Sequence, residues 1–255
     1  MSTREKESYS IQAVENALDV LEALSEEDED VRISHLSEKL KMNKTSVFRL
    51  LATFENRGYV EREEVSGKYR LGLSAYEIGQ KFLSRMALLR HARPLMERLS
   101  RGCNEAVYLA VRRRQETLFL DMVDTSQKVK IVPMVGKRFP LTQAAPGMAL
   151  LAFSATGGNG KGSIDQENVR EKLAVIRSQG YALSHDSLGE GIASAAVPLF
   201  GSSGKLHGVL CLVGPVFRLP EQLIIKEFLP QLLEASSIIS SKLGWHAAYL
   251  PKPAL

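Results

Sequence analysis

Lys44, Thr45, Ser46 and Arg49 place amino, hydroxyl and guanidinium groups within one short segment of the chain. Such groups donate hydrogen bonds to phosphates and base edges, and an arginine can form two hydrogen bonds with guanine. If the segment is helical, all four residues lie in its first two turns. The chemistry that this segment predicts is the recognition of nucleic acid by hydrogen bonding.

Motifs for nucleotide binding, nucleophilic catalysis and metal binding are incomplete. Residues 157–163 are glycine-rich, but a glycine follows Lys161 where a phosphate-binding loop requires serine or threonine, so we interpret them as a surface loop. No G-x-S-x-G motif for a serine nucleophile occurs. His185, Asp186 and Cys211 could share a metal ion, but Cys211 lies in an apolar run that is more typical of a buried structural thiol. We predict no enzyme, no cofactor and no metal.

The composition is that of a globular protein. The 255 residues are 44% hydrophobic and 24% charged, which excludes disordered and fibrous proteins and permits one large domain or two smaller ones. The two cysteines, Cys103 and Cys211, are too few for a disulfide framework. No apolar run approaches the roughly 18 residues that span a membrane. We therefore expect a cytoplasmic protein with no membrane partner.

Basic residues are concentrated in two segments, although the formal net charge is only +4. Five consecutive acidic residues occupy 26–30, and residues 31–75 then contain nine lysines and arginines against five acidic residues. Residues 81–114 contain nine against two. Such runs are commonly no more than solvated surfaces, so the charge distribution permits a nucleic-acid partner without requiring one.

Apolar residues repeat at helical spacing after Ser10, which we expect to cap the first helix. The apolar positions of this helix are Ile11, Val14, Leu18, Leu21 and Leu24. A short helix over 33–40 follows, and only a few residues later Asn43 is placed to cap another helix, which ends at Gly58. The short connection predicts a helix-turn-helix.

The helix after Asn43 has an apolar side and a polar side. The side that we expect to be buried contains Val47, Leu50, Leu51 and Phe54. The opposite side carries Lys44, Thr45, Phe48, Arg49 and Thr53, with Ser46 near the edge. Two β-prone runs, 59–63 and 68–73, flank a turn and predict a hairpin.

This order of elements is that of a winged helix-turn-helix, in which the second helix of the pair enters the major groove. Lys68 and Arg70 of the hairpin would then contact phosphates. The same geometry also occurs as a plain packing motif or as a protein-contact module, and the pattern alone leaves both alternatives open.

The remainder of the chain predicts an α+β domain with a mainly antiparallel sheet, because strand patterns in hairpins are flanked by helices. We expect a helix to about Met86 and another that starts near Pro94, since proline is tolerated near a helix start. The expected strands are 106–111, 117–123, 128–135, 192–200 and 205–214, and the expected helices are 146–153, 167–180 and 221–244.

Three N-terminal segments, NALDVLEAL, LSEKLKMNKTSVFRLLATFENRGYVE and YRLGLSAYEIG, closely resemble the DNA-binding half of the isocitrate-lyase-repressor (IclR) family of transcriptional regulators. The second half resembles the same family in GKRFPL, PGMALLA, QGYAL and GVLCLVGPVFRL. The resemblance implies a winged helix-turn-helix domain over 1–72, a linker helix over 73–88 and a GAF-like effector-binding domain over 89–255. It also implies a homodimer formed through the DNA-binding half, or a homotetramer, which binds inverted repeats in double-stranded DNA.

The resemblance also implies the residues of two sites. The family's recognition-helix positions correspond to Lys44, Thr45, Ser46, Phe48 and Arg49. The positions of its small-molecule pocket correspond to Ile131, Ala145, Pro146, Ser184, Ser194, Cys211 and Val213. Packing between the linker helices of two subunits would involve Tyr76, Gly79, Phe82, Leu83 and Met86.

The pocket positions depart from those of family members that bind small carboxylates. Pro146 lacks a backbone donor, Ser184 replaces an aspartate, and Cys211 and Val213 replace hydroxyl-bearing residues. We predict an effector with an aromatic or otherwise apolar body and a carboxylate, which modulates the operator affinity of a repressor. The alternative is a closed pocket and a DNA-binding regulator that senses no ligand.

Overall fold

The structure, a computed structural model, describes residues 10–27, 29–154 and 167–245. These residues divide into two compact units between Arg85 and Met86. Within the described ranges, no helix is long and apolar enough to cross a membrane. The glycine-rich segment 157–163 lies outside the described residues.

The first unit is a three-helix core followed by a hairpin and a further helix. Its elements are α1 (Gln12–Ser25), α2 (Ile33–Leu40), α3 (Lys44–Asn56), β1 (Val60–Arg62), β2 (Tyr69–Leu71) and α4 (Leu73–Arg85). The strands pair antiparallel, with Val60 opposite Leu71. The buried core includes Val20, Leu36, Val47, Leu51, Val60 and Tyr69. The predicted helix-turn-helix and hairpin are therefore confirmed.

Local interactions explain where α3 begins and ends. The side chain of Asn43 accepts a hydrogen bond from the backbone N–H of Ser46 at 2.7 Å, which satisfies a donor at the helix start. After the last turn, Gly58 adopts a φ of +73°, a left-handed conformation that glycine accepts without strain. The predicted cap and the predicted end of this helix are both confirmed.

The prediction for α1 is wrong in two respects. Ile11 occupies the position before the helix, and no side chain caps it, so Ser10 is not the cap. Three of the predicted apolar positions, Ile11, Val14 and Leu18, are exposed, whereas Val20 and Leu24 are buried. Only the C-terminal half of α1 contributes buried residues to the core, and the apolar side of its first turns is therefore left uncovered in this chain.

The second unit is an antiparallel sheet between two helical layers. Its elements are α5 (Ala87–Cys103), β3 (Ala106–Arg113), β4 (Glu116–Val123), β5 (Arg138–Pro140), α6 (Ala145–Phe153), α7 (Glu167–Gln179), β6 (Ala182–His185), β7 (Ile192–Phe200), β8 (Leu206–Pro215) and α8 (Leu229–Lys242). The six strands follow the order β5-β4-β3-β8-β7-β6, and every neighbouring pair is antiparallel. The predicted α+β fold is confirmed.

The two faces of the sheet have separate cores because side chains alternate along each strand. Tyr108 and Cys211 face the layer that contains α6 and α7. Leu109 and Leu210 face the layer that contains α5 and α8. The first of these faces carries the positions that the family resemblance assigns to the effector pocket.

The prediction that Pro94 stands near a helix start is wrong, because α5 continues through it. Proline removes one backbone donor and leaves the carbonyl group of Arg90 without its helical partner. Pro94 is exposed, so that water can bind this carbonyl group, and the opposite side of α5 buries Leu88 and Met96. Packing of this buried side holds the helix together across the proline.

The predicted strand over 128–135 is also wrong. Ile131 and Met134 contact the core, while Val129, Val132 and Val135 are exposed. The inward-facing positions are three residues apart rather than two, so the segment lacks the alternation of a strand, and β5 instead pairs with β4. The structure also contains β6, which the sequence did not predict. The last predicted helix is not uniform: it begins with a turn at Glu221–Leu223 and a π-helical segment, and α8 follows.

Candidate functional site

The outer side of α3 presents the predicted polar residues to solvent. Lys44, Thr45, Phe48 and Arg49 are exposed, and Ser46 is half-buried. Within the described residues, neither Lys44 nor Arg49 forms an ion pair. Phe48 leaves 49% of its surface exposed among these polar groups, a placement suited to contact with a thymine methyl group.

The two basic residues predicted for the hairpin differ in their partners. Arg70 binds the carboxylate of Glu61 through Nε at 3.1 Å and Nη2 at 3.0 Å, and it lies 3.9 Å from Asp30. Lys68 is half-buried, and its ammonium group forms no ion pair within the described part of the chain. The charge of Lys68 is therefore not neutralised by a described ion pair, whereas that of Arg70 is neutralised by Glu61.

The acidic run before α2 is engaged by basic residues outside α3. Lys39 contacts Glu27 at 2.7 Å and Glu26 at 3.2 Å, and His35 contacts Glu27 at 3.0 Å. The hydrogen bond from Lys39, with a smaller contribution from His35, lowers the pKa of Glu27. The positive charge on the outer side of α3 is thus not offset by Glu26 or Glu27.

In the second unit, cross-strand register brings three predicted pocket residues side by side. Val213 of β8 lies opposite Ser194 of β7, which lies opposite Ser184 of β6. The two serine hydroxyls are 2.8 Å apart, and the backbone N–H of Ala145 donates to Ser184 Oγ at 3.0 Å. Ser184 therefore binds the start of α6, where a carboxylate would otherwise find a donor.

The remaining predicted pocket residues border the same core. Cys211 and Val213 are wholly buried, Pro146 is buried in the first turn of α6, and Ile131 packs against the cluster from the loop before β5. Burial raises the pKa of the Cys211 thiol well above its usual value, so this thiol stays neutral. Together these residues form a largely apolar surface with two hydroxyl groups.

Tyr108 is the residue of this site that the sequence did not reveal. It lies opposite Cys211 on β3 and is wholly buried. Within the described residues its hydroxyl forms no hydrogen bond of ordinary length and angle, although the backbone of Met134 lies near enough to lower its pKa slightly against the effect of burial. Burial raises the pKa of Tyr108 to about 12, so the hydroxyl remains protonated. Its ring meets Phe119 edge-on at 5.3 Å. The available signal was a tyrosine between Ala106 and Ala110 on the core side of a strand.

A cavity of about 670 Å³ opens beside this core at the edge strand β6. Of the predicted pocket residues, only Ala145 and Ser184 line it. His185, Lys172 and Glu221 also line this cavity. The structure thus places Cys211, Val213 and Ser194 inside the packed core and Ser184 at its boundary with the cavity.

The structure does not bring together His185, Asp186 and Cys211, the three residues considered as metal ligands. Asp186 accepts a hydrogen bond from the N–H of Gly191 at 2.6 Å, whereas Cys211 is wholly buried two strands away from β6. No group of three or more His, Cys, Asp or Glu side chains that could hold a metal ion occurs in the part of the chain that the structure describes.

Comparison with protein families matches both units. The IclR helix-turn-helix domain matches residues 13–64, and the family described as "Bacterial transcriptional regulator IclR C-terminal" matches residues 80–158 and 161–241. The HTH-type transcriptional regulator KdgR of Escherichia coli is 30% identical over 255 residues, which cover 95% of this chain and 96% of KdgR. XynR of the same organism is 25% identical and covers 93% of this chain and 99% of its own.

Solved structures agree with this result. An IclR transcriptional regulator from Alicyclobacillus acidocaldarius is 25% identical, with a TM-score of 0.81 over 92% of this chain and 100% of its own. An IclR homolog from Microbacterium hydrocarbonoxydans, complexed with 4-hydroxybenzoate, is 25% identical, with a TM-score of 0.76 over 91% of this chain and 98% of its own. Because the family matches extend over most of both units, this chain belongs to the IclR family of DNA-binding transcriptional regulators.

Proposed function

We propose that this protein is a homodimeric repressor whose affinity for its operator is modulated by a small aromatic or partly apolar carboxylate. The operator would be an inverted repeat, because two symmetry-related copies of α3 contact two half-sites. We infer a cytoplasmic location, because the DNA that a bacterial transcriptional regulator binds lies in the cytoplasm.

The proposed DNA contacts are those of the outer side of α3 and of the hairpin. Arg49 and Lys44 are exposed and carry charges that no acidic residue of the described chain neutralises by an ion pair. Arg49 would read a base edge and Lys44 and Lys68 would bind phosphates, with Thr45, Ser46 and Phe48 completing the contact surface.

The observation that carries the effector proposal is the hydroxyl group of Tyr108. A buried polar group without a partner is costly, and native proteins usually satisfy such groups. A ligand carboxylate or phenol between β3 and α6 would supply the missing partner, while Cys211 and Val213 would contact its apolar body. The Microbacterium hydrocarbonoxydans homolog complexed with 4-hydroxybenzoate is a relative with an aromatic carboxylate.

The test is a fluorescence-anisotropy titration of the full-length protein against its own upstream intergenic DNA at fixed salt. A panel of aromatic and short-chain carboxylates would be added, with random DNA of equal length as the control. We expect specific binding that one or more aromatic carboxylates shift. A response to short-chain oxoacids alone would contradict the proposed ligand class, and equal affinity for random DNA would contradict the operator.

The second candidate is a regulator that senses no ligand. The wholly buried positions of Cys211 and Val213 favour it, since a packed core leaves no room for an effector. This candidate predicts specific operator binding that is indifferent to every carboxylate in the panel. It also predicts that calorimetry detects no binding of these compounds to the protein without DNA.

The proposed homodimer is supported by uncovered apolar side chains in the first unit. On α1, Ile11, Val14 and Leu18 are exposed, and on α4 Tyr76 and Phe82 are exposed. Large exposed apolar surfaces commonly mark interaction sites. A second copy of this chain would cover both helices and set the distance between the two α3 helices. The dimer could hold its two α3 helices at a distance that fits the operator or at one that does not. An effector changes operator affinity only if it binds one of these two arrangements more tightly than the other.

A further inference from the structure

A second cavity, of about 560 Å³, lies in the second unit at the end of α6 that is distant from Ser184. Ser154, which follows the last turn of α6, lines it, and so do Leu150 of that helix and Leu206 of β8. Because α6 has nine residues, its two ends are roughly 13 Å apart. This cavity is therefore separate from the group formed by Tyr108, Ser184 and Ser194.

Three basic side chains, Arg112, Lys205 and His207, line the cavity, and no acidic residue of the described chain does. The guanidinium group of Arg112 donates to three neutral acceptors: Arg114 O at 2.8 Å, Ser154 Oγ at 3.3 Å and Gln115 Oε1 at 3.4 Å. These bonds orient the side chain without neutralising its charge. An anion bound in this position would stabilise such a half-buried charge.

The position of His207 is defined by the backbone beside it. A Cβ atom on Gly201 would lie only 2.4 Å from His207 Nε2, so glycine at this position leaves the space that the imidazole occupies. Lys205 and His207 form no ion pair with any other described residue. Lys205 directly precedes β8, and His207 stands where the register shifts between β7 and β8, from Leu199 opposite Gly208 to Phe200 opposite Leu206.

The rest of the lining consists of Ser154, Ser203, two glycines and three aliphatic side chains, which belong to Val111, Leu150 and Leu206. A cavity of this volume is within the range of about 300–1,000 Å³ that small-molecule sites occupy. A ligand that fits must therefore present both an anionic group to the basic residues and an apolar part to the aliphatic side chains.

From this juxtaposition we propose that the cavity is a second ligand site, which binds a small organic anion through Arg112, Lys205 and His207. The anionic group is a carboxylate or a phosphate, and the apolar part packs on Leu150 and Leu206. This inference does not rest on the proposed effector function, since it uses none of the residues of that site.

The test is isothermal titration calorimetry of the full-length protein with benzoate, phenyl phosphate and benzyl alcohol. The three compounds share a phenyl group and differ in charge. We expect at least one of the two anions to bind and benzyl alcohol to bind at least about tenfold more weakly, because charge-assisted hydrogen bonds contribute most. Preference for benzoate or for phenyl phosphate identifies the anionic group, whereas equal binding of benzyl alcohol would overturn the proposal.

Substitutions of the lining residues test whether the anion binds in this cavity. Arg112→Gln should weaken anion binding about tenfold, and Lys205→Gln about threefold because that side chain is exposed. Lys205→Gln also controls for misfolding, since the exposed side chain of Lys205 forms no described hydrogen bond or ion pair that the substitution would remove. Arg101→Gln, at an exposed position on α5, is the matched control and should change nothing.

The experiment separates this site from the proposed effector site. Tyr108→Phe should leave binding at the second cavity unchanged, whereas it should weaken an aromatic carboxylate bound beside β3. The proposal is wrong if neither Arg112→Gln nor Lys205→Gln changes the affinity for the anion. A lower melting temperature of Arg112→Gln in that case would mean that Arg112 only stabilises the end of α6.

Discussion

Arg49 combines exposure, free charge and a position in the second turn of α3. We predict that Arg49→Ala weakens specific operator binding by about 1–3 kcal/mol, because a bidentate contact to a base is lost. Its effect on random DNA should be smaller. Competition anisotropy measures both affinities, and Thr53→Ala, on the same side of α3, is the control. Unchanged operator affinity would contradict the proposed docking of α3.

Tyr108 provides a second test on the scale of a single residue. Tyr108→Phe removes a buried hydroxyl that forms no hydrogen bond of ordinary geometry within the described residues, so we expect the free energy of unfolding to stay the same or rise. Binding of an aromatic carboxylate effector should weaken by about 1.5–3 kcal/mol because a hydrogen bond to a charged group is lost. Calorimetry and thermal melting measure the two effects, with Tyr59→Phe in the first unit as control. If Tyr108→Phe raises the stability and no aromatic carboxylate binds to the unsubstituted protein or to the variant, the result would favour the regulator that senses no ligand.

On the scale of elements, the hairpin is a test of phosphate contact, because only one of the two residues predicted to bind phosphates, Arg70, is paired with a carboxylate in the described chain. Lys68→Ala should weaken binding to all DNA sequences alike and reduce the slope of log affinity against log salt by about one. Arg70→Ala should reduce the slope less, since Glu61 already neutralises Arg70. Salt titrations of both variants measure this difference. Equal slopes would mean that Arg70 leaves Glu61 when DNA binds.

On the scale of the whole molecule, the exposed side chains of α1 and α4 predict self-association. Phe82 leaves 58% of its surface exposed, so Phe82→Asp should fold normally while placing a charge in the dimer interface. We expect dissociation of the dimer in sedimentation equilibrium and loss of affinity for a two-site operator but not for a half-site. Ser84→Asp, on the opposite side of the same helix, is the control. A dimer that survives Phe82→Asp would place the interface elsewhere.

The sequence alone predicted those features that neighbouring residues determine. Asn43 and Gly58 mark the ends of α3 through interactions within a few residues, and the apolar spacing from Val47 to Leu51 marks its buried side. The alternation of apolar residues likewise predicted most strands of the second unit. The sequence also lacks the catalytic motifs for which it was searched. The exposure of Lys44 and Arg49 follows from this spacing, while their role in DNA contact stays a prediction.

Only the tertiary structure decided which distant residues meet. The hydroxyl group of Ser184 meets Ser194 across a strand pair and the N–H of Ala145 from 39 positions earlier, and no local pattern encodes such contacts. Likewise, Arg70 binds Glu61 through hairpin register, and the strand that pairs with β4 at its outer edge is β5 rather than residues 128–135. Helix caps and periodicity depend on the chain within a few residues, whereas pockets, ion pairs and sheet edges depend on which segments pack together.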